Sequence, residues 1–204
     1  MTRNEIAAAA AAVHLAPLGG FHENGKTTIL LGPLEPGFWP HVTAHAEFRG
    51  SDPLDNWSEA MITPLARSLG ARAVFPFGGA PHHPFIAWAL QSGEAWQSPV
   101  GLLVHKDAGL MVSYRGALVF EGDVTLPQAS HSPCGDCTDK PCLTACPVSA
   151  LRPDGYDVPR CKAHIEADPQ CRAACRVRMA CPVSKSYGRD PSQTAFHMEA
   201  FHPK

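Results

Sequence analysis

The first 127 residues of this 204-residue chain contain no cysteine, and all eight cysteines fall between Cys134 and Cys181. That absence excludes disulfide or thiolate–metal staples from the first part, which must bury a core unaided and is long enough to do so. The chain also lacks any window approaching the roughly 20 apolar residues that a membrane-spanning helix needs. No Ser–His–Asp spacing, no HExxH and no paired-carboxylate pattern stands out. Charged residues make up only 18% against 45% hydrophobic, the balance of an ordinary globular chain of one large or two small domains. The opening Met1-Thr-Arg-Asn-Glu5 before an alanine run is a poor signal peptide, because Glu5 sits where positive charge is required. Thr2-Arg-Asn-Glu5 reads instead as a capping box that opens a helix to about Leu15. A cytoplasmic, reducing location is the expectation.

Gly20-Phe-His-Glu-Asn-Gly25-Lys26-Thr27 matches the Walker A pattern letter for letter. A phosphate loop needs a strand before it and a helix after it. Here the residues that follow, Thr27-Thr-Ile-Leu-Leu-Gly32-Pro33, are β-rich, so the stretch reads as a helix–turn–strand connection. Phe38 opens a short helix to about Phe48, and Asp52-Pro53 caps a helix whose Leu54, Trp57, Met61 and Leu65 share one face up to Gly70. Residues 71–77 predict a strand and 84–90 a helix. Val100–His105, Leu110–Arg115 and Ala117–Phe120 predict a three-strand meander. The expected class is α+β: an antiparallel sheet flanked by helices over residues 1–127, then a small dicluster ferredoxin-like cysteine-rich domain over 128–204. His82 and His83 are adjacent and read as loop residues. His105, Tyr114 and Arg115 close the meander; they are candidate cofactor-binding residues, with capping of a sheet edge as the plainer alternative.

The cysteines carry the chemistry. Cys134-x2-Cys137-x4-Cys142-x3-Cys146-Pro147 is followed by Cys161, Cys171, Cys175 and Cys181-Pro182, so that Cys146-Pro-Val-Ser149 recurs as Cys181-Pro-Val-Ser184. Three ligands close in sequence plus a remote one before a proline is the bacterial ferredoxin arrangement, in which the fourth cysteine serves the other cluster. The expected partition is Cys134, Cys137, Cys142 and Cys181 around one 4Fe–4S cluster and Cys146, Cys161, Cys171 and Cys175 around the second. The middle gap of four residues, Thr138 to Pro141, and the long second half depart from the usual spacing. Structural zinc, disulfides and unrelated buried thiols are the competing readings.

Charge is uneven along the chain. Residues 1–150 hold eight Lys and Arg against thirteen Asp and Glu, net −5, and residues 151–204 hold nine against six, net +3. Arg160, Lys162, Arg172, Arg176, Arg178, Lys185 and Arg189 surround the second half. They would offset cluster charge or meet an acidic partner such as a flavodoxin, tRNA or a nucleotide-tailed cofactor.

The cysteine pattern with Arg160-Cys161 resembles the group that includes epoxyqueuosine reductase, reductive dehalogenases and CblC-type cobalamin-processing proteins. Gly101-Leu-Leu-Val-His105-Lys-Asp-Ala-Gly109-Leu110 resembles the segment just before that group's cluster domain. Phe75-Pro-Phe77, Pro84-Phe85 and Tyr114-Arg-Gly-Ala-Leu118 are similar to small bacterial ferredoxin-like proteins. The resemblance implies a cofactor domain whose sheet faces the clusters, with a corrinoid (cobalamin) between them accepting electrons. No counterpart of the queuosine enzyme's acidic residue and Glu-Arg helix start is found. The expectation is an electron-transfer protein with two 4Fe–4S clusters and a redox partner such as a flavodoxin or a reductase. A corrinoid-dependent oxidoreductase and a zinc-stapled binding module are the alternatives, with nucleic acid the less favoured partner.

Overall fold

Thr27 to Pro33 is buried at every position, as a strand covered on both faces requires. The computed structural model describes residues 1–203. In chain order the first elements are α1 (Arg3–Ala11), β1 (Leu15–Glu23), β2 (Lys26–Pro33), α2 (Phe38–Thr43), α3 (Pro53–Ser68), β3 (Arg72–Val74) and α4 (Phe85–Gln91). Next come β4 (Ala95–Gln97), β5 (Leu103–His105) and β6 (Gly116–Glu121). The cysteine-rich stretch adds α5 (Pro133–Asp136), a 3-10 turn (Pro141–Leu143), β7 (Leu151–Arg152), β8 (Gly155–Tyr156) and α6 (Val158–Ala167). It ends with α7 (Pro169–Ala173), α8 (Arg176–Ala180), α9 (Pro182–Ser186) and α10 (Pro191–Phe201). No helix among the described residues is long and apolar enough to cross a membrane.

The chain divides into two units: residues 1–95 with 113–130, and residues 96–112 with 131–204. The first unit is mixed α and β. Its four-stranded sheet has the order β1-β2-β6-β3 with every neighbour antiparallel. Helices α1 and α4 pack on β1, and α3 packs on β3 and β6. Ile6, Leu15, Ile29, Leu31, Trp57 and Leu118 are fully buried in it. The Thr2–Glu5 capping box forms as expected, with the Thr2 hydroxyl accepting from the Glu5 amide and the Glu5 carboxylate accepting from the Thr2 amide. Residues 15–23, however, are strand. Asn24 and Gly25, with φ of 51° and 72°, make the two-residue turn of a hairpin in which Glu23 faces Lys26. The Walker-like letters therefore lie on a hairpin, where no helix N-terminus gathers amides for a phosphate.

The expected meander does not form. Strand β6 joins the first unit's sheet, β5 pairs instead with β4, and Leu110–Arg115 is not a strand. The reason lies in how the backbone groups of 105–111 are satisfied. His105 and Gly109 exchange two backbone hydrogen bonds around a tight turn, and the His105 Nδ1 accepts from the amides of Asp107 and Ala108. The Leu110 amide donates to the Ser184 Oγ at 2.9 Å, Arg178 donates to the Leu110 carbonyl, and Arg189 donates to the Met111 carbonyl at 2.8 Å. Side chains thus replace a neighbouring strand, and residues 96–112 belong with the cysteines rather than with residues 1–95.

In the second unit, short helices start on a repeated device. Ser132, Asp168 and Asp190 each accept a hydrogen bond from the following turn, and each precedes a proline at the first helical position. Val100, Val104, Leu110, Cys142, Leu151 and Val177 form the buried core, with Cys134, Cys146, Cys175 and Cys181 packed against it.

Candidate metal centre

Cys134, Cys137, Cys142 and Cys181 line one cavity of about 660 Å³ in the second unit. Cys134 follows the Ser132 cap on α5, and its amide donates to the Ser132 Oγ at 3.3 Å. The four-residue gap after Cys137 is taken up at Lys140, whose φ of 40° turns the chain left-handed into the 3-10 turn that buries Cys142. Cys181 enters from the far end of the unit, at the junction of α8 and α9. Burial raises the Cys134 thiol above its ordinary value; the Ser132 hydroxyl counters this, and the charges of Cys181 and Cys137 add to it. Burial likewise raises Cys142, joined by Cys134, Cys181 and Cys137. Raised in this way, Cys134 and Cys142 stay protonated on their own, and a bound metal cation would favour their thiolate forms.

Cys146 and Cys161 belong to a second neighbourhood. Burial pushes the Cys146 thiol up, but the amides of Leu151, Ala150, Val148 and Ser149 together carry it below its ordinary value. The Ala150 amide lies 3.2 Å from the Cys146 Sγ, and Ser149 takes a φ of 51° to fold the loop around the sulfur. Burial raises the Cys161 thiol; the Tyr156 hydroxyl lowers it, and Cys175 and Cys146 raise it again. The two Cys-Pro-Val-Ser copies thus share letters and not conformation. After Cys146 the chain wraps its own sulfur, whereas after Cys181 it runs into α9 and sends the Ser184 Oγ to Leu110.

Cys171 is buried at the start of α7, raised by burial and by Asp168, with Cys175 a smaller influence. Its sulfur, a nitrogen of His164 and an oxygen of Asp168 lie within 4.8 Å of one another. The Asp168 carboxylate already accepts from the amides of Gln170 and Cys171, from Arg176 at 3.1 Å and lies 3.1 Å from the His164 Nε2. With its oxygens so engaged it caps α7 rather than presenting a free ligand. The eight thiols are free, with no disulfide among the described residues.

The other candidate residues lie elsewhere. The His105 side chain is fully buried in its own turn within the second unit. Tyr114 and Arg115 fall in the first unit. Arg115 is held by the Asp55 carboxylate at 3.2 Å and donates from Nε to the Tyr114 carbonyl, and Tyr114 packs by Phe85. None of the three lines a described cavity. His82 and His83 are exposed loop residues beside a shallow pocket. Of the basic group, Arg172 pairs with Glu199 and Arg176 with Asp168, and Arg178 and Arg189 bind backbone carbonyls. Sequence reasoning missed Ser98, Ser132, Ser184 and the amides of residues 148–151, because nothing in their spacing marks them. Ser98 lines the four-cysteine cavity, and its buried hydroxyl has no hydrogen-bond partner. Four cysteine sulfurs and an apolar wall including Val104 and Leu110 suit a soft metal or an iron–sulfur cluster. Compared with protein-family models, with curated proteins and with solved structures, the chain matches none.

Proposed function

We propose that this chain is an iron–sulfur electron-transfer protein that holds two 4Fe–4S clusters and passes single electrons to a partner protein. The observation that carries the reading is that Cys134, Cys137, Cys142 and Cys181 line one cavity, while Cys161 lies elsewhere under the influence of Cys175 and Cys146. Remote cysteines from the two ends of the unit interleave, as a ferredoxin-like dicluster arrangement requires. Spacing makes Cys171 the fourth ligand of the second set. Bound clusters supply reversible one-electron chemistry, at potentials that the protein sets through hydrogen bonds, charge and solvent exposure.

The chain's own residues do the rest. The thiolates would hold the metal, and the amides after Cys146 direct positive dipoles at its sulfur and stabilise negative charge there. Val104, Leu110 and Val183 give the first cavity an apolar lining. No acid or base is required for the transfer, which agrees with the absence of a catalytic constellation in the sequence. The resemblance of the cysteine pattern to the epoxyqueuosine reductase group motivates a second reading, a corrinoid-dependent reductase. Its corrinoid part draws no support from His105, Tyr114 or Arg115, which have structural partners.

The test is iron and acid-labile sulfide on protein prepared without oxygen, with visible and EPR spectra before and after dithionite. About eight irons and eight sulfides per chain, bleaching on reduction, are expected for two cubanes. Stoichiometric zinc without sulfide would overturn the proposal and leave a zinc-stapled scaffold.

A further inference from the structure

Tyr156 ends β8 and faces Leu151 across the β7–β8 hairpin. Asp157 follows as the N-cap of α6, its carboxylate accepting from the Arg160 amide at 3.0 Å. Tyr156 therefore precedes the cap and Cys161 is the fourth residue of the helix, the two positions whose side chains pack together at a helix start. Here the packing ends in a polar contact: the Tyr156 hydroxyl is hydrogen-bonded to the Cys161 sulfur. Burial, then that bond, raises the Tyr156 hydroxyl above its ordinary value, so it keeps its proton and donates. The ring is also stacked on Phe201, with centroids 6.2 Å apart and planes 16° apart, and the Lys162 ammonium lies 5.3 Å over the Phe201 ring. On the opposite strand, the Leu151 amide is one of those that act on the Cys146 sulfur. One hairpin thus brings donors to two cysteines of the second set.

We infer that Tyr156 is a positioning residue of the second cluster, its hydroxyl donating to the Cys161 sulfur and raising that cluster's reduction potential; the inference rests on the iron–sulfur reading above. The chemistry is directional. A cluster that takes one electron gains negative charge, and a hydrogen bond to a ligand sulfur is stronger to the more negative state. The hydroxyl keeps its proton throughout. In the first set the side chain bonded to a cysteine is Ser132, on Cys134, so a change at Tyr156 reaches one cluster only.

The experiment is an EPR-monitored redox titration of the full chain, prepared without oxygen, as wild type and Tyr156→Phe, with iron and sulfide measured on each sample. Cys161→Ser identifies which signal belongs to the second cluster. Tyr156→Phe keeps the ring and its stack on Phe201 and loses only the hydroxyl. It is expected to keep its iron and to lower the midpoint of the second cluster alone, moving the oxidised-to-reduced ratio at the wild-type midpoint about fivefold toward oxidised, the weight of one hydrogen bond. Iron-replete Tyr156→Phe with both midpoints unchanged overturns the inference, as does a shift in the cluster that Cys161→Ser leaves in place. Should Tyr156→Phe lose iron, 3-fluorotyrosine placed at Tyr156 keeps both ring and hydroxyl and makes the hydroxyl a stronger donor; the midpoint of the second cluster must then rise or the inference fails. Zinc without sulfide in the wild type, or a full iron content in Cys161→Ser, would sink the underlying reading instead.

Discussion

Gly109 shows how a single position ties the segment 96–112 to the cysteine helices. Its φ of 57° lies in the left-handed region, and a Cβ built on it would meet the Ser184 amide nitrogen at 2.5 Å and the Ser184 Oγ at 2.7 Å. Neither contact is with a flexible tip, since the first atom is backbone and the second is held by the Leu110 amide. Gly109→Ala should therefore destabilise the second unit by about 2–6 kcal/mol, the sum of backbone strain and overpacking. Thermal denaturation followed by circular dichroism reads this as a lowered midpoint. Ser184→Ala separates the two causes. It leaves the backbone unstrained and orphans only the buried Leu110 amide, for about 1–3 kcal/mol.

At the scale of an element, α2 carries a titratable feature that no spacing rule marks. The His41 ring stacks on His14 with centroids 4.1 Å apart, lies 6.4 Å from His45 and meets Trp57 edge-on at 6.3 Å. Burial, then the charges of His14 and His45, hold His41 below its ordinary value of 6.5. The unfolded chain therefore binds this proton more tightly than the folded one. The contribution to stability is full above about the ordinary His pKa and is lost as pH falls from there to the depressed folded value. The expected outcome is a denaturation midpoint that declines on acidification through this window, with a shallower decline in His41→Gln. An NMR titration should find His41 titrating below an exposed histidine and moving up in His14→Ala. The elements themselves were unevenly legible. The capping box at Thr2 and the Asp52-Pro53 start of α3 are local signals and the structure keeps both helices. The strand at 110–115 was misread because apolar alternation there records burial, whereas Arg178, Arg189 and Ser184, all far away in sequence, satisfy the backbone. Likewise β1 carries three glycine or proline residues, which hid a nine-residue strand behind turn-like letters.

For the whole molecule, the cysteine spacing predicts which ligands act together, and replacing them one at a time tests it. Cys134→Ser, Cys142→Ser and Cys181→Ser should each remove the same cluster, leaving about four irons and one EPR signal. Cys161→Ser and Cys175→Ser should remove the other. Cys171→Ser decides whether the Asp168-capped thiol belongs to the second set, and an unaltered iron content would exclude it. A domain boundary at 127, natural from the cysteine count, separates residues 96–112 from the unit in which they lie. Cysteine spacing is a local pattern, whereas the ownership of 96–112 depends on tertiary partners with no local signature. The consequence is sharp for a fragment of residues 128–204. It keeps every cysteine and loses Val100, Val104 and Leu110, half of the buried core against which Cys134, Cys146, Cys175 and Cys181 pack. It also loses Ser98 and the carbonyls that hold Arg178 and Arg189. With the apolar wall of the first cavity gone and two guanidinium groups released, the two-cluster proposal predicts a fragment that holds less iron and sulfide than the full chain. Iron, sulfide and EPR on the two proteins side by side measure the difference, and a fragment with the full complement would show that the cysteine helices assemble without residues 96–112.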